Sequence, residues 1–115
     1  DRYPNLAVDI SARLGDLAFQ DSAKVRDFFL AYQDRILFGT DVVMRQRPST
    51  MPEEKCQAAI ADLAETYRIH FAYLETGDKL SVRGIETQGL NLPESVLQKL
   101  YRANAERWYA GLASI

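Results

Sequence analysis

Only two stretches of this chain combine a short apolar run with flanks that suit a buried strand, and a helix lies between them. "NLAVDIS" (residues 5–11) alternates Leu6, Val8 and Ile10 against Ala7 and Asp9, the period of a half-buried strand. "RILFG" (residues 35–39) is an apolar run of strand length that ends on glycine. Between them, "DSAKVRDFFLAYQDR" offers Asp21 or Ser22 as an N-cap, followed by Val25, Phe28, Phe29 and Tyr32 at i, i+3, i+4 and i+7. That spacing predicts a helix with those four side chains in one stripe. Strand, helix, strand in this order is a βαβ unit, hence a parallel pair with a right-handed crossover. Parallel sheets are buried and usually have more strands than two. A two-stranded one leaves both outer edges unpaired. The segment is therefore read as incomplete as a monomer. Its further strands come from elsewhere in a longer chain or from copies of itself.

The remaining elements are helical. "ARLGDLAFQ" reads as a loop with one helical turn, interrupted by Gly15. Pro48 and Pro52 mark a loop, Thr50 to Glu53 fits a capping box, and Glu53 and Glu54 suit a first helical turn. The long helix that follows carries Cys56, Ile60, Leu63, Tyr67, Phe71 and Leu74 along one face and stops at "ETGD", with Gly77 in the usual C-terminal position. "KLSVRGIETQGLN" reads as a loose hairpin or an insertion. Pro93 opens the last helix, supported by Glu94, with Val96, Leu97, Leu100, Tyr101, Asn104, Trp108 and Tyr109 on its inner side. The fold class is α/β: a βαβ unit with two further helices, read as one segment over residues 1–115.

Composition narrows the function classes. A formal net charge of -2 and scattered basic residues give no pull toward nucleic acid or anionic lipid. No run of about 18 apolar residues exists, so no membrane span is expected, and no signal peptide is visible. Cys56 is the single cysteine; it rules out an internal disulfide, fits a reducing cytoplasm and is expected as a buried structural thiol. The opening "DRYPNLAVDIS" has no initiating Met and moves into a strand almost at once, as a start inside a longer protein would; processing gives such a start as well.

"NLAVDIS", "FFLAYQDRILFGTD" and "LPESVLQKLYRANAERWYA", in that order, resemble the C-terminal part of the amidohydrolase-related metal-dependent hydrolases. These are TIM-barrel enzymes, and the group includes the aminocarboxymuconate-semialdehyde decarboxylase type. The likeness is weakest in residues 42–52 and 78–91. Such barrels need about 250 residues, so the resemblance implies that this chain holds the last two or three βα units. It also implies a divalent metal, zinc foremost, and a small-molecule substrate in the complete enzyme. The reaction is hydrolysis of a C–N or C–O bond, or decarboxylation.

The residue that carries the chemistry is Asp41, just past the strand in "RILFGTD". Active sites of TIM barrels gather at the C-terminal strand ends. The resemblance implies that Asp41 is both a metal ligand and the base that takes a proton from metal-bound water. From spacing alone, an aspartate after Gly-Thr caps the next turn or helix through its side chain. A catalytic zinc commonly takes three protein ligands, and the family supplies histidines from earlier strands. This chain has one histidine, His70, placed mid-helix and expected as a partly exposed helix residue rather than a ligand. The isolated chain is accordingly expected to hold no metal and to be inactive. Asp9 at a barrel mouth, Arg13 beside it, and Arg45 and Arg47 near a substrate carboxylate are weaker candidates, each read first as an ordinary polar or solvated residue. Thr40 is expected to hydrogen-bond nearby backbone. The alternative to an enzyme segment is a non-catalytic module derived from such a barrel, self-associating as a homo-oligomer through strand edges or aromatic helix faces.

Overall fold

A computed structural model of the chain describes residues 2–112, so Asp1, on which the reading of the chain start turns, lies outside the described residues. The βαβ unit is present. Strand β1 (Val8–Asp9) pairs in parallel with β2 (Ile36–Leu37), with Val8 opposite Ile36 and Asp9 opposite Leu37. The Val8 N–H donates to the Arg35 carbonyl at 2.8 Å and the Ile10 N–H to the Leu37 carbonyl at 3.1 Å. Both strands are shorter than the runs 5–11 and 35–39, because a ladder extends only as far as its partner and each strand has one partner among the described residues. Of the three alternating residues expected to face inward, Ile10 is buried while Leu6 and Val8 are exposed.

The crossover is α1 (Leu14–Ala18) followed by α2 (Ser22–Ala31). Asp21 is the N-cap of α2, its carboxylate accepting the Lys24 N–H at 3.0 Å, which satisfies one of the orphan donors of the first turn. Val25 and Phe29 enter the core; Phe28 and Tyr32, expected beside them, stay exposed and lean on each other with ring centroids 5.1 Å apart. The four-residue stripe is wider than the surface this chain offers to cover it.

Helix α3 (Glu53–Glu75) starts without a side-chain cap. The expected capping box does not form, because Thr50 belongs to a 3-10 turn (Pro48–Thr50) and its hydroxyl donates to the Arg47 carbonyl at 2.9 Å. The buried face of α3 is only in part the expected one: Leu74 is buried as expected, but the other residues of the stripe are not. Its buried residues are His70, Tyr73 and Leu74, while Ile60, Tyr67 and Phe71 are exposed. Cys56 is half-buried rather than buried. Nor does the helix end on a left-handed glycine, since Gly77 keeps negative φ. Instead the returning chain finishes the last turn: the N–H groups of Leu90, Asn91 and Leu92 donate to the carbonyls of Tyr73, Thr76 and Leu74 at 2.7, 3.0 and 3.0 Å. These are the carbonyls that a helix end leaves without partners. The approach is close enough that a Cβ on Gly89 would run into the Thr76 carbonyl.

The segment read as a loose hairpin is a tight one. Strands β3 (Lys79–Val82) and β4 (Ile85–Gln88) are antiparallel, with Val82 opposite Ile85. The two turn residues, Arg83 and Gly84, have φ of 50° and 79°, the double positive φ of a type I′ turn, whose twist matches that of the flanking strands. Val82 anchors the hairpin in the core with Tyr73, Leu74 and Leu90.

The last helix runs without a break through α4 (Glu94–Gln98), a π-helical turn (Lys99–Ala103) and α5 (Asn104–Trp108), with Pro93 at its start. It is tied to the α2–β2 connection by polar bonds. The buried Asn104 side-chain amide donates to the carbonyls of Gln33 at 2.6 Å and Ile36 at 2.8 Å. The Trp108 indole donates to the Asp34 carbonyl at 2.9 Å. In the π-helical turn, the Leu100 carbonyl accepts the Phe38 N–H at 3.1 Å. Tyr109, expected inside, is exposed.

The surface left open is large. The chain exposes 8137 Å², where a folded monomer of 13.0 kDa ordinarily exposes roughly 6,300 Å². Its radius of gyration is 16.1 Å, against about 13 Å for a close-packed domain of this length. No helix among the described residues is long and apolar enough to cross a membrane.

Candidate functional site

Parallel pairing sets the C-terminal tips of β1 and β2 side by side. The tip of β1 is Asp9, opposite Leu37. Beyond it, the Ser11 N–H donates to Asp9 Oδ1 at 2.6 Å, and Ala12 takes a left-handed φ of 59°. The chain thus turns sharply on the Asp9 carboxylate, as Asp does when it bonds its own backbone two residues on. Past the tip of β2, Gly39 lies against this turn. A Cβ there would collide with Ser11 Oγ and stand 3.1 and 3.3 Å from the two Asp9 carboxylate oxygens.

Asp41 follows, exposed and with φ of 54°. This is the left-handed region, which aspartate tolerates better than most residues but which still costs of order 1 kcal/mol. Its carboxylate makes no hydrogen bond or ion pair among the described residues. The capping role open to it from spacing is not taken up: the next helical turn, Pro48–Thr50, has Arg47 at its cap position, and α3 has Pro52. An unengaged carboxylate at a strand tip keeps all its lone pairs for a ligand or a proton.

The other candidates resolve differently. Arg13 is exposed and pairs with Asp16 at 3.2 Å, a local i,i+3 contact. Arg45 and Arg47 are exposed in the loop after Asp41. The expected hydrogen bond of the Thr40 hydroxyl to nearby backbone does not form among the described residues. His70 is buried, not partly exposed: its Nδ1 donates to the Thr66 carbonyl at 2.7 Å, and its ring stands edge-on to Phe38 at 6.3 Å between centroids. One turn of its own helix supplies the partner that burial requires, and the ring packs on Phe38, the first residue past the β2 tip.

These residues do not fit a complete metal site. Among the described residues, no three of His, Cys, Asp and Glu are grouped so as to hold an ion, and a catalytic zinc needs about three. What the site provides is one carboxylate with a cleft next to it, beginning at the following residue. That cleft, of about 410 Å³, is walled by Val42, Val43 and Met44 on the loop and by Leu63 and Thr66 on α3. Its wall is mostly apolar, with Arg45, Gln46 and Asp62 also on its lining. What sequence reasoning missed is the seat under the β2 tip: Asp9, Ser11 and Gly39. The signal was present as Asp-x-Ser at the end of one strand and a glycine at the end of the other.

Two parallel strands joined through helices, with an acid just beyond a strand tip, define an α/β protein. A family model for amidohydrolases matches residues 1–111; the chain belongs to that hydrolase-type family. No curated protein and no solved structure gives a match.

Proposed function

We propose that this chain is the C-terminal part of a metal-dependent amidohydrolase barrel and that Asp41 is its last-strand carboxylate, one ligand to a divalent metal (zinc foremost) and the acceptor of a water proton. The observation that carries this reading is the position of Asp41, without a partner among the described residues, past the tip of a parallel strand in a chain that matches the amidohydrolase family over residues 1–111. A carboxylate so placed suits both roles. The histidine ligands come from the preceding part of the protein, and the chain by itself is inactive. The reaction is hydrolysis of a C–N or C–O bond, or decarboxylation in that branch of the family, on a small-molecule substrate whose apolar portion lies along Val42, Val43 and Met44. The test extends the chain upstream in its reading frame and measures bound zinc and turnover, with and without Asp41→Asn. The substitution is expected to lower turnover by three orders of magnitude or so, the scale of losing a general base together with a ligand. Full activity in the variant would end the assignment.

A second reading draws on the exposed area. The excess over an ordinary monomer, roughly 1,800 Å² on one chain, is about twice what one partner buries in a standard protein–protein interface and lies in the range of obligate ones. A non-catalytic module that self-associates through Val8, Phe28 and Tyr32, or through Ile60 and Phe71, would cover it. Size-exclusion chromatography with light scattering distinguishes the two readings: a homo-oligomer supports the module, and a monomer that becomes fully compact on adding the upstream part supports the enzyme segment.

A further inference from the structure

We infer that Asp9 is a positioning residue: its carboxylate, folded into the Ser11 turn, is the seat on which Gly39 rests and thereby directs the β2 tip that carries Asp41. The inference rests on the reading of Asp41 given above and assigns Asp9 no ligand of its own.

Three observations on different segments meet at this point. The Asp9 carboxylate holds the Ser11 N–H at 2.6 Å, a short bond of the charge-assisted kind, so its rotamer is fixed by backbone rather than left to solvent. The opposite strand presses on the same carboxylate, since position 39 has no room for a side chain beside Asp9 and Ser11. The last ladder bond between the tips, Ile10 N–H to the Leu37 carbonyl, lies two residues before Gly39. After it, Phe38 is held by its N–H bond to the Leu100 carbonyl, but no backbone hydrogen bond among the described residues holds 39–41, so beyond Phe38 the contact with Asp9 and Ser11 constrains that stretch. Asp41 then stands in a left-handed conformation that a free chain end would populate rarely. An acid at the tip of one strand is thus held by an acid at the tip of its neighbour, through a glycine that only a close approach requires.

The test uses the chain itself and reads backbone amide and Cα chemical shifts by NMR, with the Asn104 side-chain amide as the check on folding. Asp9→Ala should abolish the downfield shift expected of the Ser11 amide proton and move the signals of residues 39–41 toward random-coil values, leaving the Asn104 signals in place. Asp9→Asn keeps an acceptor oxygen at the same position and should restore most of the native shifts, whereas Asp9→Leu, of similar bulk but with no acceptor, should not, a difference that a role in packing alone would not predict. Gly39→Ala approaches the seat from the other strand and should disturb residues 9–12 and 39–41 together, which keeps the inference testable if Asp9→Ala fails to fold. Unchanged shifts at residues 39–41 in Asp9→Ala, or a disturbance in Gly39→Ala that does not reach Ser11, would overturn it. Because the readout involves neither metal nor turnover, it fails separately from the role of Asp41: full activity of Asp41→Asn in the extended enzyme would remove that role and leave the seat intact.

Discussion

Replacing Asn104 by alanine probes the joint on which the C-terminal helix hangs. The Asn104 amide donates two hydrogen bonds, to the Gln33 and Ile36 carbonyls, from a side chain only 3% exposed. Each is worth about 1 kcal/mol net, and leaving a buried carbonyl without a partner costs roughly another 1 kcal/mol or more. The expected loss is about 3 kcal/mol, a large share of the stability of a small domain. With a urea dependence of about 1.5 kcal/mol per molar, the unfolding midpoint should fall by roughly 2 M. The one tryptophan, Trp108, bonds the Asp34 carbonyl at the same joint, so its fluorescence reports the transition locally while far-UV circular dichroism reports it globally. Asn104→Asp should be worse than alanine at neutral pH, because it turns an acceptor toward two carbonyl oxygens. A loss under about 0.5 kcal/mol in Asn104→Ala, the range of an ordinary surface change, would refute the claim that this amide clamps the helix to the α2–β2 connection.

The Tyr73 side chain is fully enclosed and its hydroxyl has no partner among the described residues, so Tyr73→Phe should leave stability unchanged or raise it by up to about 1 kcal/mol in urea titrations. Burial pushes the Tyr73 phenol up to about 12; because the fold favours the neutral form, the associated stability is whole below the ordinary value near 10 and is lost as pH rises from there toward 12. Tyr101, raised by burial and by its bond to Glu75, adds a loss of the same sign, so Tyr73→Phe should shrink the alkaline decline in melting temperature without removing it. Gly89→Ala forces a methyl group against the Thr76 carbonyl and should cost about 2 kcal/mol, read from thermal melts. Asp21→Ala removes the cap on α2 and should cost about 1 kcal/mol by the same measurement.

The βαβ unit was legible because it rests on local signals: alternation in 5–11, the stripe of α2, and the apolar run of 35–39. Burial was less so. Reading an apolar face as an inner face assumes that something covers it, and among the described residues Leu6, Val8, Phe28 and Tyr32 stay exposed. On α3 the bulkiest residues marked one stripe, Ile60, Tyr67, Phe71 and Leu74, of which only Leu74 is buried, while His70 and Tyr73 from the neighbouring stripe join it in the core. Local periodicity does not say which of two overlapping stripes meets the sheet. His70 was misjudged for a related reason: its burial depends on the Thr66 carbonyl and on Phe38, just past β2 and distant in sequence. The helix stop at Gly77 failed because tertiary bonds from residues 90–92 replaced the local glycine device. At the candidate site, Asp41 stood out by its place after a strand, whereas Asp9 mattered only once pairing had brought the two tips together.

The way α3 is finished gives a single helix two lifetimes. Its C-terminal turn is sealed by chain that arrives only after the hairpin has formed, so that end opens when the hairpin and the last helix let go. The other end begins at Pro52 without a side-chain cap and is exposed around most of its circumference as far as Leu63, so it can unwind turn by turn while the foot stays shut. Amide hydrogen exchange along α3 should accordingly slow in one direction, fastest near Lys55 and slowest near Tyr73. Motion at the free end would open and close the cleft beside Val42 without disturbing the strand tips.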